Sequence, residues 1–133
     1  MAKQNLLALD VGEKRIGVAV ADTSVKIAVA YDTLLVDGSE LEQIARLIAL
    51  EDIDTVVVGY PRNQQGEPTK QTQFVEAFVE ALGPIAPAVV YQDESLTSVK
   101  AEEYLKRSKK PYEKADVDAL AASFILQDYL ETL

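Results

Sequence analysis

Two apolar stretches of this chain end on acids: LLALD closes on Asp10, and VVYQDE closes on Asp93 and Glu94. A third acidic place, Asp116 and Asp118, opens the last helical pattern, DVDALAASFIL. An unpaired carboxylate is costly to bury. Asp10 therefore either reaches solvent and starts a turn, or holds something positively charged. Ligands of open α/β sheets gather at the carboxyl ends of the strands, and if the first strand is central the three acidic places can converge. Carboxylates without histidine suit hard cations such as Mg²⁺ or Mn²⁺. A pair of such ions about 3.5–4 Å apart can activate water and stabilise a leaving oxygen in phosphodiester hydrolysis. Each acid alone also has a plainer reading. Asp10 can form a turn, Asp116 and Asp118 can cap a helix, and adjacent Asp93 and Glu94 point to opposite faces, so at most one looks into a shared site.

Composition narrows the chemistry further. The 133 residues carry neither cysteine nor histidine, which excludes disulfides, thiolate zinc sites, His-based triads and His-ligated metals. No apolar stretch approaches the roughly 18–20 residues of a membrane span, and MAKQN leads into a strand pattern without a signal peptide, so a cytoplasmic location is expected. The net charge of −9 opposes a nucleic-acid partner, since phosphate binding needs basic surface. Cations are nevertheless concentrated between Lys100 and Lys114, with Lys106, Arg107, Lys109 and Lys110 the densest group. A local basic patch on an acidic protein is thus expected.

The elements that must position the acids follow from periodicity. Residues 5–10 and 15–21 read as strands joined by the turn VGEK, with Gly12 free for positive φ. Ile27 to Val36 reads as a third strand of an antiparallel meander. Ser39 and Glu42 form a capping-box pattern ahead of Leu41, Ile44, Ala45 and Ile48 at helical spacing. Asp54–Gly59 is a short apolar run typical of a strand covered on both faces. The loop YPRNQQGEPTK leads to a helix with Phe74, Val75, Phe78 and Leu82 on one face, closed by Gly83 and Pro84. A strand over 88–94, a helix over about 98–108 and a final helix over about 116–130 complete the order β-β-β-α-β-α-β-α-α. This predicts one α/β domain over 1–133, with a mixed sheet of a three-strand antiparallel meander plus two parallel strands and helices on both faces. Tyr91 and Tyr104 read as core or boundary residues, and Thr97 as an N-cap.

Four blocks, LALDVGEKRIGVAVAD, VVVGYPRNQQGEPTKQT, DESLTSVKAEEYL and KADVDALAASFILQDYL, together resemble the bacterial YqgF family, also called RuvX, across essentially the whole chain. The resemblance implies an RNase H-like fold and metal-dependent nucleic-acid cleavage in maturing the 5′ end of the small-subunit rRNA. A Holliday junction resolvase role is the alternative. It also implies that Asp10, Glu94 and Asp118 are catalytic and that these three with Asp93 are the metal ligands, Glu94 being favoured within the acidic pair. Asp116 sits where the family does not insist on an acid and is read as a cap. Two departures stand out: Ser95 replaces the arginine of a usual DER, and Tyr60 replaces the leucine of a usual GLP, with Arg62 close by.

Nucleic-acid contacts are expected from Lys14, Arg15, Arg62 and Asn63 beside the acids, and from Lys106, Arg107, Lys109 and Lys110. The expected partners are an rRNA precursor or branched DNA, with no membrane, and the chain acting as a monomer or homodimer. Two rivals are set against this. An actin-like kinase or ATPase shares the Asp-x-Gly strand-turn-strand but binds nucleotide between two domains. A catalytically idle scaffold would use the acidic surface to bind an RNA-processing or transcription partner, yet has no need of three acids at one sheet edge.

Overall fold

Leu6, Leu7, Ala8 and Leu9 are all fully buried, yet they serve two different cores. Leu7 and Leu9 pack with Ile44, Ile48, Val75 and Leu82, whereas Leu6 and Ala8 pack with Ala122, Ile125, Leu126 and Leu130. Alternation along a strand sends successive side chains to opposite faces, so this strand lies in the middle of a sheet covered on both sides. The computed structural model describes residues 3–61, 67, 69–94 and 97–133, with the backbone alone for 97 and 98. Arg62, Asn63, Gly66 and Ser95 lie outside the described residues, as does the side chain of Thr97.

The strands are β1 (Asn5–Val11), β2 (Arg15–Asp22), β3 (Val29–Leu35), β4 (Thr55–Pro61) and β5 (Val89–Glu94). The helices are α1 (Glu40–Leu50), α2 (Lys70–Leu82), α3 (Thr97–Arg107) and α4 (Lys114–Leu130). The sheet order is β3-β2-β1-β4-β5, antiparallel through the meander and parallel from β1 to β4 and β5. This is the expected mixed sheet. One face, bearing Leu7, Leu9, Ile16 and Val58, meets α1 and α2. The other, bearing Ala8, Ala19 and Val57, meets α4. Small residues on the second face bring α4 close, and that closeness matters for the site.

Several local expectations are corrected by side-chain competition. The third strand begins at Val29, not Ile27, because the Asp22 carboxylate accepts the Ser24 and Val25 N–H groups and wraps the chain into a turn, after which Lys26 is left-handed (φ 60). Ser39 does not cap α1 with its side chain. Its hydroxyl donates to Asp37 Oδ1 at 2.6 Å instead, leaving the helix N-terminus without that bond. Gly12 does not have positive φ. It is needed because a Cβ there would stand 2.8 Å from the Arg15 carbonyl oxygen, the group that accepts the Gly12 N–H in the β1–β2 turn. Helix α4 starts two residues early because Glu113 and Asp116 form a capping box, so Asp116 does act as a cap. Tyr91 and Tyr104 are exposed, at 44% and 59%, and belong to neither core.

Candidate active site

Asp10 follows Leu6 and Ala8 on the side of β1 that α4 covers, so the strand's alternation turns it toward that helix. Two glycines then let the other acids reach it. Gly17 pairs with Asp10 across the β1–β2 ladder. A Cβ on Gly17 would fall 1.9 Å from the backbone carbonyl oxygen of Asp118, so only glycine admits α4 at this distance. Gly59 plays the same part on β4, where a Cβ would lie 2.7 Å from Ile125 Cδ1 and 3.1 Å from Glu94 Oε2. The Glu94 carboxylate occupies the room that the missing side chain leaves.

The result is a pocket of about 220 Å³ lined by Asp10, Arg15, Pro61, Gln71, Glu94 and Asp118, among others. Three acids from three elements, β1, β5 and α4, meet there. Asp93 does not line it. It faces a separate cleft with Tyr60, Glu76 and Tyr91 on the α2 side of the sheet, as expected for a neighbour of Glu94 on an alternating strand.

The charges of the acids are accommodated by two different devices. Asp10 hydrogen-bonds Glu94, and its carboxyl is pushed well above the usual carboxylate range. Burial is the largest cause, followed by the charge of Glu94, the hydrogen bond with Glu94 and the charge of Asp118. Asp118 is taken by Arg15, whose Nε donates to Asp118 Oδ2 at 2.5 Å in a partly buried ion pair. With Asp118 drawn to Arg15, no trio of acidic side chains among the described residues is gathered tightly enough to coordinate one ion as it stands. The donor set itself is all carboxylate oxygen, the chemistry that Mg²⁺ and Mn²⁺ select. A carboxyl forced toward its protonated form by burial and by two neighbouring acids is a site short of positive charge. On both counts the residues fit a hard divalent cation.

The expected cations divide into two groups. Arg15 lines the acidic pocket, and Lys14 lines an adjoining hollow that shares Gly12, Arg15, Gln71 and Asp118 with it. Lys106, Arg107, Lys109 and Lys110 line neither. They sit at the far end of α3, where Lys106 pairs with Glu102 at 3.2 Å. Sequence reasoning passed over Gln71, whose Nε2 donates to the Val11 carbonyl at 3.0 Å and so ties α2 to the end of β1. It also passed over Gly17. The signal for Gly17 was a glycine inside an otherwise apolar strand, which marks close backbone approach.

Solved structures share this arrangement of sheet and helices. The Thermus thermophilus RuvC in complex with a Holliday junction substrate superposes with a TM-score of 0.61 at 13% identity, covering 97% of this chain and 94% of that one. The fowlpox virus resolvase in complex with Holliday junction DNA gives 0.57 at 17%, covering 97% and 98%. The fold is therefore the RNase H-like fold of the RuvC-type resolvases. More particularly, the sequence model of the RuvX family, described as a Holliday junction resolvase, matches residues 4–132, and this chain belongs to that family. A relative from Chloroflexus aggregans, named "Putative pre-16S rRNA nuclease", is 43% identical and covers 98% of this chain and 96% of its own length. Another of the same name, from a Sulfurihydrogenibium strain, is 39% identical and covers 96% and 90%.

Proposed function

We propose that this chain is a metal-dependent endonuclease that hydrolyses phosphodiester bonds of pre-16S rRNA during 5′-end maturation in the cytoplasm. Asp10, Glu94 and Asp118 would hold Mg²⁺ or Mn²⁺, as a pair of ions. The observation that carries this reading is the convergence of those three acids in one pocket at the carboxyl ends of β1 and β5. The names of the full-length relatives direct it to pre-16S rRNA.

Bound divalent ions would supply a lowered pKa for attacking water and neutralisation of charge on the phosphate. The protein's own groups do the rest. Asp10, whose carboxyl is held toward its protonated form by burial and by the neighbouring acids, would give up that proton as a cation binds. Arg15 pairs with Asp118 and lines the pocket and the hollow beside it, where its guanidinium would meet a phosphate. Gln71 ties the end of β1 to α2 through the Val11 carbonyl, next to Asp10.

The test offers the purified chain a pre-16S 5′ fragment and, separately, a four-way DNA junction, in Mg²⁺, in Mn²⁺ and in EDTA. RNA cleavage with either metal and none in EDTA is expected. Asp10→Asn keeps the shape of the side chain but loses the charge, and should slow cleavage about a hundredfold or more, a barrier increase of at least about 2.7 kcal/mol. Undiminished cutting in EDTA, or a fully active Asp10→Asn protein, would refute the reading. Symmetric cutting of the junction alone would favour the resolvase reading, which requires two active sites in a dimer.

A further inference from the structure

On the other flank of the α4 N-terminus lies a groove of about 660 Å³. One wall is β3, from Ala30 to Thr33, and the other is the α3–α4 junction, with Tyr104, Lys110, Pro111 and Tyr112. The site described above does not use it. Tyr104 stands in edge contact with Phe124 at 6.4 Å and is 59% exposed, so the core is not the reason for its ring. The two acids in the groove, Asp32 and Asp116, are turned to backbone: Asp32 accepts the Thr33 N–H at 2.8 Å and Asp116 the Glu113 N–H at 2.9 Å.

Beside this groove runs KRSKKPYEK, residues 106–114, with five cations against the single Glu113 in a chain whose net charge is −9. Lys109 carries a second observation. It has φ 58, the left-handed region that glycine occupies at little cost after a helix. The chain keeps a lysine where glycine would be easier, which makes sense if the charge is used.

The groove also lies in line with the acids. Asp10 pairs with Gly17 and Gly17 with Thr33, so the three stand in one row across the sheet. The row is crossed by α4, with the Thr33 hydroxyl donating to the Ala115 carbonyl. Two strand spacings separate Asp10 from Thr33, about 10 Å, with the start of α4 lying over Gly17 between them, so a strand held in the groove would pass over that turn of helix to reach the acids.

From this we infer that the groove is a track for single-stranded nucleic acid, with bases against Tyr104 and Tyr112 and phosphates on Lys106, Arg107, Lys109 and Lys110. Aromatic faces beside a basic strip are how proteins hold unpaired bases, and stacking tolerates any base. The inference deepens the nuclease reading and rests on it, specifying a substrate that is unpaired beside the cut. The basic strip would draw any anionic partner, and the exposed tyrosine rings beside it are what favour unpaired bases over an acidic protein surface.

The test measures binding of a labelled oligouridine, and of an RNA duplex of equal length, to the full chain in EDTA, where cleavage plays no part. The single strand should bind more tightly than the duplex. Tyr104→Leu keeps bulk and helix propensity but loses the ring, and should weaken binding about fivefold or more, while Tyr104→Phe should bind like the unmodified chain. Lys109→Gly should leave the thermal midpoint unchanged or raise it, and should flatten the salt dependence by roughly 0.7 in log–log slope if one phosphate contact is lost. Equal binding of duplex and single strand, or unaltered binding by both Tyr104→Leu and Lys109→Gly, would overturn the inference. Loss of metal-dependent cleavage by the unmodified chain overturns the nuclease reading separately, because the EDTA measurements do not depend on it.

Discussion

The raised carboxyl of Asp10 makes the metal-free protein sensitive to pH in a definite direction. The folded Asp10 carboxyl titrates well above its ordinary value, with burial the first cause and Glu94 the second. Between the unfolded value, about 3.9, and the raised folded value, the native state binds more protons than the unfolded chain. Stability therefore falls as pH rises through that window and levels off above it. Denaturant melts in EDTA across this range should show the decline for the unmodified chain. In Asp10→Asn it should be much reduced, with higher stability at neutral pH. An identical pH profile in both proteins would show that Asp10 is not the group responsible. At this scale the sequence was legible to a point. Asp10 and Asp118 could be placed at element ends, but choosing between Asp93 and Glu94 needs to know which face α4 covers. Alternation fixes their opposition, not the side, and only the packing of Val90 and Gly59 against the α4 side settles it.

Elements are joined at the site by hydrogen bonds that no periodicity reveals. Helix α2 opens with a box in which the Thr72 hydroxyl accepts the Thr69 N–H at 2.6 Å and donates to the Pro61 carbonyl at 3.0 Å. Thr72 is fully buried, and through it the start of α2 is pinned to the end of β4. Thr72→Val is nearly isosteric but leaves both partners unsatisfied, and should cost about 1–3 kcal/mol in stability. Thermal or urea melts would measure it, and Thr72→Ser should recover most of the loss. The sequence pattern identified α2 from its apolar face, which carries no sign of the Thr72 bond to Pro61. Ser39 shows the opposite failure. A good capping-box pattern was present, but Asp37, two residues away, competes for the same hydroxyl. The mixed sheet, by contrast, was readable, because a meander followed by alternating helices and strands leaves few topologies open.

For the whole molecule the excess of acid has a use as well as a cost. The fold gathers Asp10, Glu94 and Asp118 against their mutual repulsion, and a divalent cation that binds only the folded form should stabilise it. At a hundred times its dissociation constant, Mn²⁺ should add about 2.7 kcal/mol. Thermal melts should move upward with Mn²⁺ for the unmodified chain, and much less for Asp10→Asn. Equal shifts in the two would place the ion elsewhere on the acidic surface. Net charge by itself argued against a nucleic-acid partner. What it could not show is segregation: the cations of 106–110 fall on one exposed helix end, away from the acids of the pocket.

The central position of β1 bears on how the protein exchanges its amide hydrogens with solvent. Between β2 and β4, and under a core on each face, the amides of Leu7 to Leu9 are sealed on every side. Glu94 instead belongs to β5, at an edge of the five-stranded sheet. Local opening is easiest where fewer bonds must break, so deuterium should enter β5 well before β1. The acidic pocket then has one wall that yields only with global unfolding and another that opens on its own. A cation bridging the two should slow deuterium uptake most along β5, turning the edge strand that carries Glu94 from the most permeable wall of the site into a protected one.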